Sequence, residues 1–181
     1  MSEKPAELNL FEANQKHKPM ILRYGIYSSL LLMAFNLIML ALLGTDPSNF
    51  GIGTILGYSA IILSMIFVFL GIREYVRETG AANFWNALKI GTLIAIAPSI
   101  VFGIYNIIYI KWIDPNFNQN YLQYQIDSLQ NPTAEEIAAL EASMKLWENP
   151  LMQFFVMFLT VLIIGFIVSL ISSVVLRRGS N

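Results

Sequence analysis

The chain has 181 residues, a formal net charge of −1, 56% hydrophobic and 13% charged residues, and no Cys. An average soluble domain carries about a quarter charged residues, so this one chain-length domain is too apolar for water. The missing Cys excludes disulfides, thiolate metal sites, CxxC redox pairs and cysteine nucleophiles, and nothing in the near-neutral charge balance points to nucleic acid.

Residues 1–22 are polar and hold the single histidine, His17. A frayed tail or a short surface helix is expected there. His17 has no His, Asp or Glu at ligand spacing and is not read as a metal site. Four apolar runs follow, Tyr24–Leu43, Ile52–Ile72, Ile90–Ile110 and Leu151–Leu176, none with an acidic or basic side chain. At about 1.5 Å per residue, roughly 20 residues of helix cross the ~30 Å of bilayer hydrocarbon, so each run is long enough to be a span. The first run exceeds the ~7 to 15 residues of a signal-peptide core and is read as retained.

The first span carries Asn36 near its middle, where an interhelical hydrogen bond of about 0.6–2 kcal/mol is the expected role. The second carries Tyr58, Ser59 and Ser64, with Gly53 and Gly57 spaced for close helix approach. The connection to the third span is basic, with Arg73, Arg77 and Lys89, and interleaves Glu74 and Glu78 at helical pairing distance from the arginines. Setting topology and attracting anionic headgroups account for these cations. The functional alternative is a contact surface of Arg73, Tyr75, Arg77 and Lys89 that holds a cytoplasmic partner, another membrane protein or a phosphate-bearing lipid headgroup.

In the third span Gly91, Ala95, Ser99 and Gly103 recur every four residues, and in the fourth Gly165, Ser169 and Ser173 do the same. Such stripes let helix backbones approach, within one bundle or between copies in a homo-oligomer. Pro98 removes a backbone donor and is expected to kink the third span, as a hinge or a static bend. No span contains an ionisable Asp, Glu, Lys, Arg or His, which argues against ion or proton transport and leaves only a pathway for an uncharged solute.

Residues 111–150 separate the third and fourth spans. Phe117, Tyr121 and Tyr124, spaced four and three, predict a short helix with an aromatic face. Pro132 divides the segment, and Thr133 with Glu136 forms a capping box before Ile137, Leu140, Met144 and Trp147. An amphipathic helical hairpin results, whose apolar faces pack on each other, lie on headgroups, or accept a partner. Trp112 and Trp147 at the span boundaries read as interfacial anchors.

Cations flank the spans unevenly. Lys4, Lys16, Lys18 and Arg23 precede the first, Arg73, Arg77 and Lys89 lie between the second and third, and Arg177 and Arg178 close the chain, while the other two connections hold only Lys111 and Lys145. Four spans place both ends on one side, and the positive-inside rule puts that side in the cytoplasm and the hairpin outside. No Gly-x-Ser-x-Gly, His-Glu-x-x-His or Walker-type loop occurs, so no enzyme is expected, nor any cofactor.

Gly71, Ile72, Arg73, Tyr75 and Arg77 at the end of the second span, Phe84, Ala87, Leu88, Lys89 and Gly91 opening the third, and Asn149-Pro150 before the fourth resemble the bacterial family called domain of unknown function 4199. The resemblance runs roughly from Leu22 to Arg178. It implies a four-helix inner-membrane protein and supplies no activity. The expected architecture is therefore all-α, a single integral membrane domain over 1–181 with four spans and a helical insertion. An accessory or scaffolding subunit of the cell envelope is the leading functional expectation, and a small oligomeric transporter or channel for an uncharged solute is the alternative.

Overall fold

The computed structural model describes residues 6–80 and 83–178. Among them there is no strand, and four helical stretches are long and apolar enough to cross a membrane: His17–Leu43, Pro47–Thr79, Phe84–Ile113 and Pro150–Leu176. The chain is an all-α, multi-pass membrane protein. Of the flanking cations, Lys4 lies outside the described residues, as do the side chains of Lys16, Arg177 and Arg178.

The first helix, α1, runs unbroken over Ala6–Leu43 with Pro19 inside it, so the stretch expected to be a frayed tail or a short surface helix is helix that continues into the span. Packing explains the difference. His17 and Met20 are each only 7% exposed, and the His17 ring meets Tyr75 edge-on at 4.9 Å. Burial of that turn offsets the one intrahelical hydrogen bond that Pro19 cannot make.

The second span is two helices rather than one, α2 (Phe50–Ser64) and α3 (Ile66–Thr79), which corrects the continuous Ile52–Ile72 helix read from hydropathy. At Met65 the backbone turns to φ −71°, ψ −3°, and its N–H is shared between the carbonyls of Ile61 and Ile62. Ser64 Oγ donates to the Ile61 carbonyl at 2.7 Å, competing with the regular ladder. A break at membrane depth must have its freed groups satisfied within the protein. Ser28 of α1 does this, its Oγ donating to the Ser64 carbonyl at 2.9 Å with both side chains fully buried.

Gly80, at φ +72°, ends α3 in the left-handed conformation that suits glycine, its N–H bonded to the Val76 carbonyl. Asn83 caps α4 (Phe84–Ile108) by accepting from the Trp85 N–H, and α4 continues as helix through the fully buried Pro98. One π-helical turn, Tyr109–Ile113, finishes this span and is closed by Asp114 N–H to the Tyr109 carbonyl at 2.8 Å. The insertion forms α5 (Phe117–Ser128) and α6 (Ala134–Trp147), and Thr133 and Glu136 make both hydrogen bonds of the expected capping box. The last span is α7 (Pro150–Arg178).

Helix α4 is central, packed most extensively on α7 and also on α1 and α3. Leu32, Met65, Val68, Ile72, Ile94, Ala95 and Val161 are all fully buried and form the core at and beyond the Met65 break, toward the termini. On the other side of the break, toward the α5–α6 hairpin, α2 keeps its contact with α1 but touches α7 only slightly. Divergence of α2 from the bundle creates the site described next.

Candidate functional site: a cavity beneath the hairpin

Between α1, α2, α4 and α7, at the hairpin end, lies a cavity of about 550 Å³. That volume falls within the roughly 300–1,000 Å³ typical of small-molecule sites. Along α1 its lining extends from Leu43 to Asn36, about 10 Å of helix at ~1.5 Å per residue, so it penetrates the membrane-spanning part of the bundle. Gly53 and Gly57 of α2 line it, and a Cβ added at either would meet nothing within 4 Å. These glycines, expected to draw helices together, instead face open volume.

Aromatic rings close the end nearest the loops. Phe50, the first residue of α2, makes edge contacts with Phe117, Tyr121 and Tyr124 at 5.4, 5.6 and 5.7 Å, and Phe117 stacks on Tyr121 at 5.6 Å. The aromatic face of α5 therefore packs on the mouth of the bundle, with Tyr109 added edge-on to Phe117. From α6, Met144 and Trp147 also line the cavity. Trp147 thus serves the roof as well as a span boundary: its carbonyl accepts from Gln153 Nε2 and, at 3.4 Å, from Asn118 Nδ2, which ties the hairpin to α7. By contrast Trp112 is 71% exposed.

The lining is uncharged apart from Asp46 in the loop before α2. Its carboxylate accepts from the Ser48 N–H at 2.9 Å, and this hydrogen bond holds the group below its ordinary pKa. Deeper polar groups are uncharged. Asn36 Nδ2 donates to the Leu32 carbonyl of its own helix, so this residue does not make the expected bond to another helix. Thr54 and Thr160 also spend their hydroxyl protons locally, on the carbonyls of Phe50 and Val156, each at 2.8 Å. Asn106 Oδ1 has no hydrogen-bond partner, and the hydroxyls of Tyr58, Tyr105, Tyr109 and Tyr121 also belong to the lining.

The small-residue stripes of α4 and α7 face each other. A Cβ added to Gly91 would lie 2.8 Å from Ser169 Cβ, one added to Gly165 would overlap Ala95, and one added to Gly103 would overlap Phe154. Ser99, Ser169 and Ser173 are fully or almost fully buried and return their hydroxyl protons to carbonyls four residues earlier, leaving smooth surfaces for contact. Both stripes are consumed inside one chain.

At the opposite end the basic connection divides. Arg73, Arg77 and Lys89 are exposed, whereas Tyr75 is 8% exposed and turned inward against His17, so the four do not share one surface. Glu74 pairs with Arg23 of α1 at 2.6 Å and accepts from Tyr24 Oη at 2.7 Å, and Glu78 lies 3.7 Å from His17 Nδ1. The acids expected to pair along their own helix instead tie α3 to α1. Arg73 and Arg77 border a hollow floored by Leu70, Val175 and Leu176. Among the described residues no group of three or more His, Asp or Glu is placed to hold a metal ion.

A family model described as Protein of unknown function (DUF4199) matches residues 23–178. The chain belongs to this family. No curated protein and no solved structure matches it. Within this DUF4199 chain, the connection motifs are used for packing and capping, with Gly71 pressed against Tyr24 and Ile94, and Gly91 against Ile72 and Ser169. The cavity lies elsewhere, and no residue of these motifs lines it. Gly53 and Gly57 are the sequence features that coincide with it, and their spacing is the same as that of glycines packed between helices.

Proposed function

We propose that this chain is a bacterial cytoplasmic-membrane protein, with its termini inside and its hairpin outside, that holds an uncharged solute in the cavity beneath the hairpin and performs no chemistry on it. The observation that carries this reading is a cavity of about 550 Å³ at membrane depth with a single charged residue in its lining. A charged ligand placed there would lose hydration without a counter-ion, at a cost of several kcal/mol by the usual order of magnitude. Helices of one chain supply its whole lining. The cations beside the second, third and fourth spans support the orientation.

An accessory role in the envelope, docking another membrane protein, has narrower support. Its helix-packing stripes are occupied within the chain, and what remains is the exposed pair Arg73 and Arg77 beside an apolar hollow. Anionic headgroups of the surrounding bilayer suit that pair as well as a protein does.

Equilibrium binding to the purified protein in lipid nanodiscs tests the cavity reading with two uncharged probes, glycerol from water and dioleoylglycerol from the bilayer. Saturable binding of either, weakened at least tenfold by Gly57→Phe, is expected. Absence of saturable binding by both overturns the reading. Since the chain has no Cys, orientation is read directly: an impermeant maleimide on intact cells labels Ser128→Cys and spares Ser180→Cys. The reverse pattern refutes the orientation.

A further inference from the structure

We infer that the hollow between α3 and α7, at the end of the bundle nearest the termini, seats one anionic phospholipid of the bilayer, its phosphate held by Arg73 and Arg77 and an acyl chain lying on Leu70 and Val175. This goes beyond the reading of the cavity, since the two sites share no lining residue.

The charges of α3 are sorted by its neighbours. Glu74 is drawn to α1, where both its carboxylate oxygens accept from Arg23 Nη2 at 2.6 Å and Tyr24 Oη donates to one of them at 2.7 Å. Glu78 lies near His17 Nδ1 of the same helix. Arg73 and Arg77, one turn apart, are left exposed and, among the described residues, without an ion-pair partner. Glu74 also borders the hollow, but Arg23 already balances its charge. Two cations are therefore uncompensated in one place, and their guanidinium forks suit phosphate oxygens.

The lining is ordered as a phospholipid is. The hollow, of about 580 Å³, is bounded by Leu70, Val76, Val175 and Leu176 together with the two arginines. Along α3, Leu70 lies nearer the membrane core than Arg73 and Arg77, by roughly 5 and 10 Å at ~1.5 Å per residue. Apolar surface thus leads outward to cations as an acyl chain leads to its phosphate. A free phosphate ion would leave Leu70 and Val175 uncovered, and an acidic protein segment would not match that gradient. Headgroup chemistry is narrowed by Glu74. A zwitterionic phospholipid brings an ammonium group, and the carboxylate that lines the hollow is taken by Arg23 and Tyr24. Phosphatidylglycerol carries the negative charge without the ammonium. Lys89 is exposed too but does not line the hollow, so it separates this site from the general attraction of anionic lipid to a basic surface.

Native mass spectrometry of the full chain in detergent micelles, titrated with dioleoyl lipids, measures the site. One phosphatidylglycerol is expected to bind at least tenfold more tightly than phosphatidylcholine or phosphatidylethanolamine, the order that two arginines near a membrane surface supply. Arg73→Gln combined with Arg77→Gln reduces that preference to less than threefold, whereas Lys89→Gln keeps it. Val175→Trp fills the apolar floor, leaves both arginines in place, and weakens phosphatidylglycerol binding at least fivefold. Gly57→Phe, in the distant cavity, leaves it unchanged, so the result is independent of what the cavity holds. Equal affinity for phosphatidylglycerol and phosphatidylcholine overturns the inference, as does a loss from Lys89→Gln as large as that from the arginine pair. Water-soluble glycerophosphoglycerol competing as well as the lipid would assign the hollow to a free phosphate ester and overturn the lipid. Benzoylphenylalanine placed at Val175 in native membranes should crosslink to phospholipid, and a protein adduct in its place overturns the assignment.

Discussion

Gly91→Ala adds one methyl group at a tight contact between the two small-residue stripes, and its effect can be worked out from the geometry. The new Cβ would sit 2.8 Å from Ser169 Cβ and 2.5 Å from Ser169 Oγ and Ile72 Cδ1. Two carbons attract best at about 3.5–4.0 Å, so α4 and α7 must separate locally by roughly 0.7–1.2 Å. The Ile72 methyl lies at the end of a flexible side chain and swings away; Ser169 Cβ is fixed to the helix backbone. Overpacking of this kind costs about 1–3 kcal/mol, against a helix-propensity gain of up to about 1 kcal/mol for replacing Gly by Ala. Net destabilisation is expected at about 1–2 kcal/mol.

Ser169→Gly removes the opposing Cβ and with it the clash, so Gly91→Ala combined with Ser169→Gly moves the methyl from one helix to the other. That pair should fold within about 0.5 kcal/mol of the sum expected for helix propensity alone, with a favourable coupling of about 1–2 kcal/mol. Steric-trapping measurements of unfolding in mixed micelles read all four corners of the cycle. Gly53→Ala, whose Cβ meets nothing within 4 Å, is the control and leaves stability unchanged or slightly raised. Additive single effects, or a stabilising Gly91→Ala, refute the facing-stripe geometry.

Three further substitutions probe the break and the junction of the third span with the hairpin. Ser28→Ala strips the Ser64 carbonyl of its donor at the break and should cost about 1 kcal/mol in the same assay, near the upper range for interhelical hydrogen bonds in bilayers. Ser59→Ala, whose hydroxyl bonds only within its own helix on an exposed face, should cost nothing measurable, and equal effects of the two would show that the Met65 break does not lean on α1. Asp114, where the third span joins the hairpin, is 6% exposed, and its Oδ2 has no partner. Burial raises its pKa, and a hydrogen bond from the Asn116 N–H only partly offsets that. For a carboxyl raised on folding, the proton is held more tightly by the folded state. Stability is therefore greatest below the ordinary value of about 3.8 and falls as pH rises through the elevated one. Thermal unfolding between pH 4 and 8 should show this decline in the wild type, and a shallower one with higher stability near neutrality in Asp114→Asn. Identical profiles would remove the buried charge as its cause.

Hydropathy and short-range chemistry determined by themselves which parts of this chain enter the membrane. Runs free of charge have no soluble alternative, and the Thr133–Glu136 box closes its hydrogen bonds within four residues, so both are local facts. The repeat of Gly91, Ala95, Ser99 and Gly103 was likewise visible, because helical period places those residues on one face whatever lies opposite. Tertiary structure decided what did lie opposite. Nothing in Gly53 and Gly57 distinguishes a packed glycine from one that opens space, and that difference arises from the course of α2 after Met65. The break itself is stable because Ser28, 36 positions away, meets the Ser64 carbonyl. Glu74 pairs with Arg23 rather than with an arginine of its own helix, and Tyr75 turns inward, because α1 extends far enough to bring Arg23 and His17 alongside α3. A cavity is the volume left between elements, and its size and polarity depend on how separate helices diverge, a distance that no local pattern along the chain encodes.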